Sequence, residues 1–214
     1  MMKVTTIRPG THWLRRIRAY AAASSVLGLL FCPLALGTEQ ERFLTGQLLA
    51  ATEEMKDPRF VESVIYMVNH DARGAMGLIV NRPMARGPLD ELLKEFGVEL
   101  KNAKGELILH YGGPVSPRQG YILHSDEMLL ANSTKVKDGI AMTADVKLLE
   151  TLAQGQGPRQ ILFMLGYAGW GPGQLETEIK AGSWFVVPAE KSLIFGKDAE
   201  KKWRQARDRR RIPL

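Results

Sequence analysis

Residues 166–179 read GYAGWGPGQLETEI, with four glycines among the first eight positions. The apolar run RQILFMLG (159–166) precedes them and a helical pattern follows. Strand, glycine loop and helix form the setting of a phosphate-binding loop, in which backbone N–H groups and a helix N-terminus meet an anion. The details point elsewhere. Gly169, Gly171 and Gly173 alternate, so no third glycine follows the second at a distance of three, and Gly173 leads into Gln174 and Leu175 rather than into Lys and Ser or Thr. Pro172 removes a backbone donor. Glu176 and Glu178 suit the positive end of a helix dipole but would repel a bound anion. Two readings stand: a tight strand-to-helix turn covered by Tyr167 and Trp170, or a small-molecule or peptide site built from those rings and Gln174.

Outward from this stretch, the body reads as alternating short strands and helices. Phe43–Thr52 is apolar and extended. VESVIYMVNH (61–70) and AMGLIVNRP (75–83) flank the turn DARG, forming a hairpin. Pro88 opens a short helix with Leu89, Leu92, Leu93 and Phe96 on one face and Gly97 as its stop. ELILHYG (106–112), QGYILHS (119–125) and DGIAMT (138–143) read as strands, with GGPVSP a loop between the first two. Thr143 reads as the N-cap of the next helix. RQILFMLG reads as a central strand because it is apolar on both faces. After the helix that ends near Lys180, SWFVVP (183–188) and KSLIFG (191–196) read as strands. A basic helix with Trp203 as its one large apolar anchor closes the chain. Together these predict a single α+β domain on an irregular sheet.

The chain has 214 residues and a net charge of +6, which at first suggests a nucleic-acid partner. The distribution of charge argues against one. Residues 1–37 hold five bases and no acid, and residues 197–214 hold eight bases against three acids. The intervening 38–196 carries sixteen bases against twenty acids, a net −4, so it lacks the broad basic face that a phosphate backbone requires. The one cysteine, Cys32, precedes the body; disulfides, thiolate metal sites and a cysteine nucleophile are thereby excluded from it.

The start of the chain is basic and acid-free, then apolar from Ala19 to Gly37, with small residues at Ala35 and Gly37. These are the parts of a secretory signal peptide. They predict a mature protein that begins near Thr38 and is periplasmic or secreted, with residues 1–37 as an export segment, helical through Ala19–Phe31, and 38–214 as the folded domain. Pro33 makes the stretch short for a membrane span. Residues before Cys32 are too large for a lipid-anchor site, and Arg18 stands where a twin-arginine signal after Arg15-Arg16 wants an apolar residue. A misplaced start codon, with Val26 as the alternative, would leave the protein cytoplasmic. Membrane contact is expected only through this segment or the basic tail, 197–211.

The catalytic candidates are sparse. LHSDE (123–127) sets His124, Ser125 and Asp126 side by side, but neighbours on a strand point to opposite faces and make no ready triad. A hydrolase using His124 with Asp126 or Glu178 is the enzyme reading to test. His70, Asp71, His124 and Asp126 match no metal-ligand spacing. No motif calls for a cofactor. Asn81 reads as a turn former or a polar ligand contact, and Gly112-Gly113-Pro114 as a loop needing unusual backbone angles or offering free amides.

DPRFVESVIYMVNHDARGAMGLIVNRP (57–83), YGGPVSPRQGYILHS (111–125) and LGYAGWGPGQLETEIKAGSWFVVP (165–188), in this order and spacing, resemble the YqgE/AlgH family of bacterial proteins. The match runs from Leu44 to Phe195. Its motif positions are Asn81, Gly112, Gly113, Pro114, Gly166, Tyr167, Gly169, Trp170, Gly171, Gln174, Leu175, Glu178 and Trp184. The resemblance implies a compact α+β domain with a bifurcated sheet that includes a small barrel, surrounded by helices. It brings no catalytic residue or cofactor. One branch is named as a transcriptional regulator, yet no helix-turn-helix is visible here, and the N-terminal extension departs from members that look cytosolic. The expectation is therefore a non-enzymatic, exported module for a small molecule or a protein partner. Asn81, His124, Gln174 and Glu178 should converge with Tyr167 and Trp170 as walls of one concavity.

Overall fold

A computed structural model of the chain describes residues 43–95, 105–145 and 147–210, which fall within one compact unit, 37–214. Residues 1–37, expected to form an export segment with a helix, lie outside the described residues, as do Phe96 and Gly97.

Among the described residues, ten strands build one sheet. In chain order they are β1 (Leu48–Ala51), β2 (Val64–Asp71), β3 (Gly74–Ile79), β4 (Pro83–Pro88), β5 (Glu106–Tyr111), β6 (Val115–Ser125), β7 (Ser133–Lys137), β8 (Ile140–Thr143), β9 (Ile161–Trp170) and β10 (Trp184–Val187). The main path runs β10-β1-β2-β3-β9-β6-β8-β7, and β5, carrying β4, joins it at β9. The sheet curls into a half-barrel. Five helices accompany it among the described residues: α1 (Leu89–Lys94), α2 (Lys147–Ala153), α3 (Gln174–Lys180), α4 (Lys191–Phe195) and α5 (Ala199–Asp208).

The fork lies on β9. One edge of this strand pairs with β6 from Ile161 to Tyr167. The other is divided: Phe163–Leu165 run parallel to β5, and Ala168–Trp170 run antiparallel to β3. Gly166 stands at the changeover with φ +69°, and a Cβ there would lie 2.3 Å from the Gly113 carbonyl oxygen. A Cβ on Gly112 would lie 2.3 Å from the Gly166 oxygen. The two glycine motifs thus let one chain cross another at backbone distance, which no residue with a side chain permits.

Both faces of the central strands are covered, which explains their continuous apolar runs. Leu48, Ala50, Val64, Tyr66, Leu78 and Val80 share one core with Leu193, Ile194 and Trp203. Leu49, Ala51, Ile65, Met67 and Ile79 face a second, with Trp170, Leu175 and Trp184. A third, under the branch, joins Leu93, Leu109, Ile122, Leu148, Leu149 and Phe163.

Four local expectations are corrected. KSLIF is the helix α4, not a strand: consecutive Leu193 and Ile194 enter the same core, and both their N–H groups donate to the Glu190 carbonyl, which extended backbone cannot do. Thr143 ends β8, and Asp145 caps α2 instead, accepting from the Lys147 N–H at 2.9 Å. Val115 already pairs with Tyr167, so β6 begins inside the expected loop, and residues 116–119 bulge from the sheet. Pro83 opens β4 rather than closing the preceding strand. The terminal helix α5 is a core element, since Ala206 is fully buried and the Trp203 Nε1 donates to the Ala51 carbonyl at 2.7 Å. Beside it Lys202 is 2% exposed. Its ammonium donates to the carbonyls of Val80 (2.9 Å) and Ile194 (2.6 Å).

Candidate functional site

The glycine stretch makes the floor of a cleft of about 750 Å³. β9 delivers Trp170, β10 delivers Trp184, and the loop after β1 delivers Met55 and Phe60. The Trp170 and Trp184 rings meet edge to face, 6.0 Å between centroids at 80°. Phe60 meets Trp184 in the same manner at 5.5 Å and 71°. Such edge-to-face sets place positive ring edges against negative faces and hold their geometry firmly.

One carboxylate organises this wall. Glu178 Oε2 accepts both indole N–H groups, from Trp170 at 2.9 Å and Trp184 at 2.8 Å. Its Oε1 accepts from Gln174 Nε2 at 2.9 Å, and Gln174 Oε1 in turn accepts from the Gly171 N–H at 3.0 Å. Strand end, loop, helix and next strand are thereby laced through one side chain. The spacing is what a helix provides: Gln174 and Glu178 are four apart, on one face of α3. Gly173 has φ +72° and precedes α3 without a side-chain cap. The Gly171 and Gln174 N–H groups are engaged within the turn, and the carboxylates of Glu176 and Glu178 beside it disfavour an anion.

Three of the six expected residues therefore meet: Trp170, Gln174 and Glu178 line this cleft. Tyr167 lines a neighbouring shallow cavity of about 560 Å³ with Asn69, Asp71 and Arg73, and its ring packs edge to face on Tyr121 at 5.9 Å. Asn81 is elsewhere and structural. Its Oδ1 accepts from the Val64 N–H at 2.8 Å and its Nδ2 donates to the Glu62 carbonyl at 2.9 Å, bracing a turn in which Glu62 has φ +54°. It borders a third cavity, of about 680 Å³, with Arg82, Arg204 and Arg207.

His124 is the clearest correction. It is fully buried and lines none of these three cavities. Nδ1 donates to the Ser125 carbonyl at 2.9 Å, which fixes Nε2 as the acceptor for the Thr143 hydroxyl at 2.8 Å. Thr143 is in turn 2.6 Å from the Ser133 hydroxyl, which accepts from the Leu130 N–H. Burial lowers the His124 pKa, in keeping with a neutral ring. Both ring nitrogens are engaged, neither by a carboxylate, so the proposed pairing with Asp126 or Glu178 is not made. Ser125 instead donates to Glu127.

His70 is also buried. Its Nδ1 accepts from the Leu44 N–H at 3.1 Å, so its Nε2 donates to Glu176 at 3.3 Å; this histidine fastens the start of the body to α3. Among the described residues, no group of three or more His, Cys, Asp and Glu side chains is arranged to hold a metal ion.

The sequence reading missed Met55, Phe60 and Trp184 as cleft walls. Trp184 carried a signal, as it closes the set of family motif positions that also holds Trp170, Gln174 and Glu178. Phe60 carried none, being one apolar residue in a polar turn.

A family model described as AlgH-like matches residues 48–214. A UPF0301 protein of Methylococcus capsulatus is 46% identical over 170 residues, which cover 79% of this chain and 93% of that protein. One from Bradyrhizobium diazoefficiens is 43% identical over 173 residues, covering 77% and 80%. The solution structure of the AlgH protein from Pseudomonas aeruginosa superposes with a TM-score of 0.69 at 32% identity, covering 80% of this chain and 91% of that one. A crystal structure of a Corynebacterium diphtheriae protein, with a TM-score of 0.62 at 21% identity, shares the fold.

Proposed function

The chain belongs to the AlgH-like family, and on that premise we propose that it is a non-enzymatic binding module, working outside the cytoplasm, whose ligand enters the aromatic cleft. One observation carries the reading. The polar side chains on the cleft floor, Gln174 and Glu178, are engaged with each other and with the two indoles, and Met55, Phe60, Trp170 and Trp184 give the lining its apolar part. A general base needs a lone pair aimed at the substrate proton. Glu178 spends its oxygens on three internal donors. A preformed, mostly apolar recess with few oriented polar groups is the ordinary form of a ligand site. Lys56, Arg59 and Glu54 at its rim supply polar selection.

Thermal shift of the purified protein against a panel of metabolites and short peptides tests this, because a ligand that binds only the folded state raises Tm in proportion to its affinity. At least one compound should raise Tm in the native protein and fail to do so in Phe60→Ala. A panel without effect, shifts indifferent to Phe60→Ala, or turnover of a bound compound would overturn it. The proposed location rests on the composition of residues 1–37. Among the described residues, no helix is long and apolar enough to cross a membrane. N-terminal sequencing from fractionated cells should return Thr38 in the periplasmic or secreted fraction; Met1 or Val26 in the cytosol would overturn the export claim.

A further inference from the structure

Resting on the cleft reading above, we propose that the ligand is an extended peptide that adds to the open edge of β9 at Gly169. On the β6 side the strand is paired as far as Tyr167. Beyond it, Ala168–Trp170 keep β3 on one side, while β6 has stopped: its first residue, Val115, stands opposite Tyr167. Among the described residues, the second edge of this three-residue end has no strand beside it. The chain that precedes β6 crosses β9 at Gly113, against the Tyr167 carbonyl and the Ala168 nitrogen, and continues through Pro114, which offers no amide to the ladder.

Four further features fit a backbone partner. Gly169 is exposed between buried Ala168 and Trp170, so the strand surface is bare where a second chain would lie. A Cβ at Gly169 would meet Tyr167 Cε2 at 3.0 Å and Val115 Cγ2 at 3.7 Å; glycine keeps that space empty. Val115, itself 36% exposed, gives the edge an apolar lip. Val115, Gly169 and Trp170 border both the aromatic cleft and the shallow cavity beside Tyr167, so the two recesses flank the edge. An added strand sends alternate side chains to opposite faces, and a recess lies on each side to receive them. Of the charges nearby, Arg59 is paired with Asp57 at 2.6 Å and Arg73 with Asp71 at 2.9 Å. Main-chain hydrogen bonds and apolar side chains therefore carry most of the selection, to which Lys56 and Glu54 at the cleft rim add.

The probe is a random dodecapeptide display library panned on the immobilised full chain. Selected peptides are resynthesised and titrated while the amide resonances of 168–170 are followed by NMR. Peptides should be recovered that shift those amides. N-methylation of alternate peptide residues should weaken binding at least tenfold in one phase of alternation and little in the other. Val115→Asp, an exposed change that leaves the fold intact, should weaken it at least tenfold, and Gly169→Val should abolish it. No recovered peptides, peptides that shift other amides, indifference to N-methylation, or undiminished binding to Val115→Asp would each overturn the proposal. Metabolites that still raise Tm through Phe60 would then preserve the cleft reading while the peptide fails; failure of both arms removes both.

Discussion

Replacing Glu178 by Ala is the sharpest test of how the glycine stretch is held. The carboxylate accepts three hydrogen bonds, and their loss is unequal. Gln174 is exposed, so its amide regains water. Trp170 and Trp184 are 7% and 4% exposed, with their N–H groups turned inward to the carboxylate. Leaving a buried donor unpaired costs about 1–3 kcal/mol, so the two indoles together predict a loss of roughly 2–5 kcal/mol. For a domain of this size that lowers Tm by about 5–15 °C. Urea unfolding should show a lower midpoint with unchanged slope. Glu178→Gln keeps an oxygen facing both indoles and gives up mainly the charge, so its loss should be about 1 kcal/mol. Trp170→Phe removes one orphaned donor, and in the Glu178→Ala background it should cost less than in the native protein, a coupling of about 0.5–3 kcal/mol. A loss below about 0.5 kcal/mol in Glu178→Ala, with no coupling to Trp170→Phe, would refute the reasoning: water entering from the cleft would then serve the indoles as well as the carboxylate does.

Three other outcomes follow from the same structure. Gly166→Ala forces a Cβ to 2.3 Å from a backbone oxygen at φ +69°, so circular dichroism melts should show a loss above about 2 kcal/mol or no folded protein. Asn81→Ala leaves the Val64 N–H and the Glu62 carbonyl without their partners, and urea midpoints should report a loss of about 1–3 kcal/mol with ligand binding in the cleft unchanged. Lys202 is held at about 8 by burial against an ordinary 10.5, so between these values the unfolded chain binds the extra proton and stability rises with pH. Denaturation midpoints should climb from pH 8 towards 10, by an amount that Lys202→Met abolishes; above about 10 the trend should reverse, because burial raises the pKa of Tyr66 from 10.0 and the unfolded chain then loses the proton first.

The sheet and its fork were legible where chemistry leaves few choices. An apolar run on both faces announced β9, two strand patterns about a turn announced β2 and β3, and the glycines at 112–113 announced a backbone that needs unusual angles, whereas the stretch after Gly166 reads as a turn although β9 continues through it to Trp170. What neither glycine motif could announce was the other, for Gly113 and Gly166 are explained only by their mutual approach. KSLIFG misled because a six-residue window with three consecutive apolar residues fits either period; only Glu190, accepting two successive amides, decides for the helix. LHSDE was legible in part. Pleating already separates its His, Ser and Asp, but the expected pairing of His124 with Asp126 or Glu178 is not made: Thr143, distant in sequence and itself held by Ser133, takes the histidine instead.

The basic tail shows what the same limits mean for function. Eight bases in the last eighteen residues look like a detachable arm for an anionic polymer, and removing 197–214 looks like the natural test. The fold forbids that test. Lys202, Trp203 and Ala206 are core residues of α5, so the truncation would expose β1 and β2 and any loss of binding would report unfolding. The exposed charges are also largely answered within the domain, Lys201 by Asp198 at 2.6 Å and Arg209 by Glu190 at 3.2 Å. Arg204, at the cavity beside Asn81, is the position at which charge can be changed without touching the core, since Arg207 beside it lies over the Trp203 ring at 5.3 Å and faces Glu53 at 3.8 Å. If DNA binding belonged to this chain, Arg204→Glu would weaken it and flatten its salt dependence while leaving Tm nearly unchanged. The expected result is that no salt-resistant DNA binding exists to be weakened, because a patch of two or three arginines on a domain whose body is net negative cannot neutralise enough phosphates to hold a duplex at physiological ionic strength.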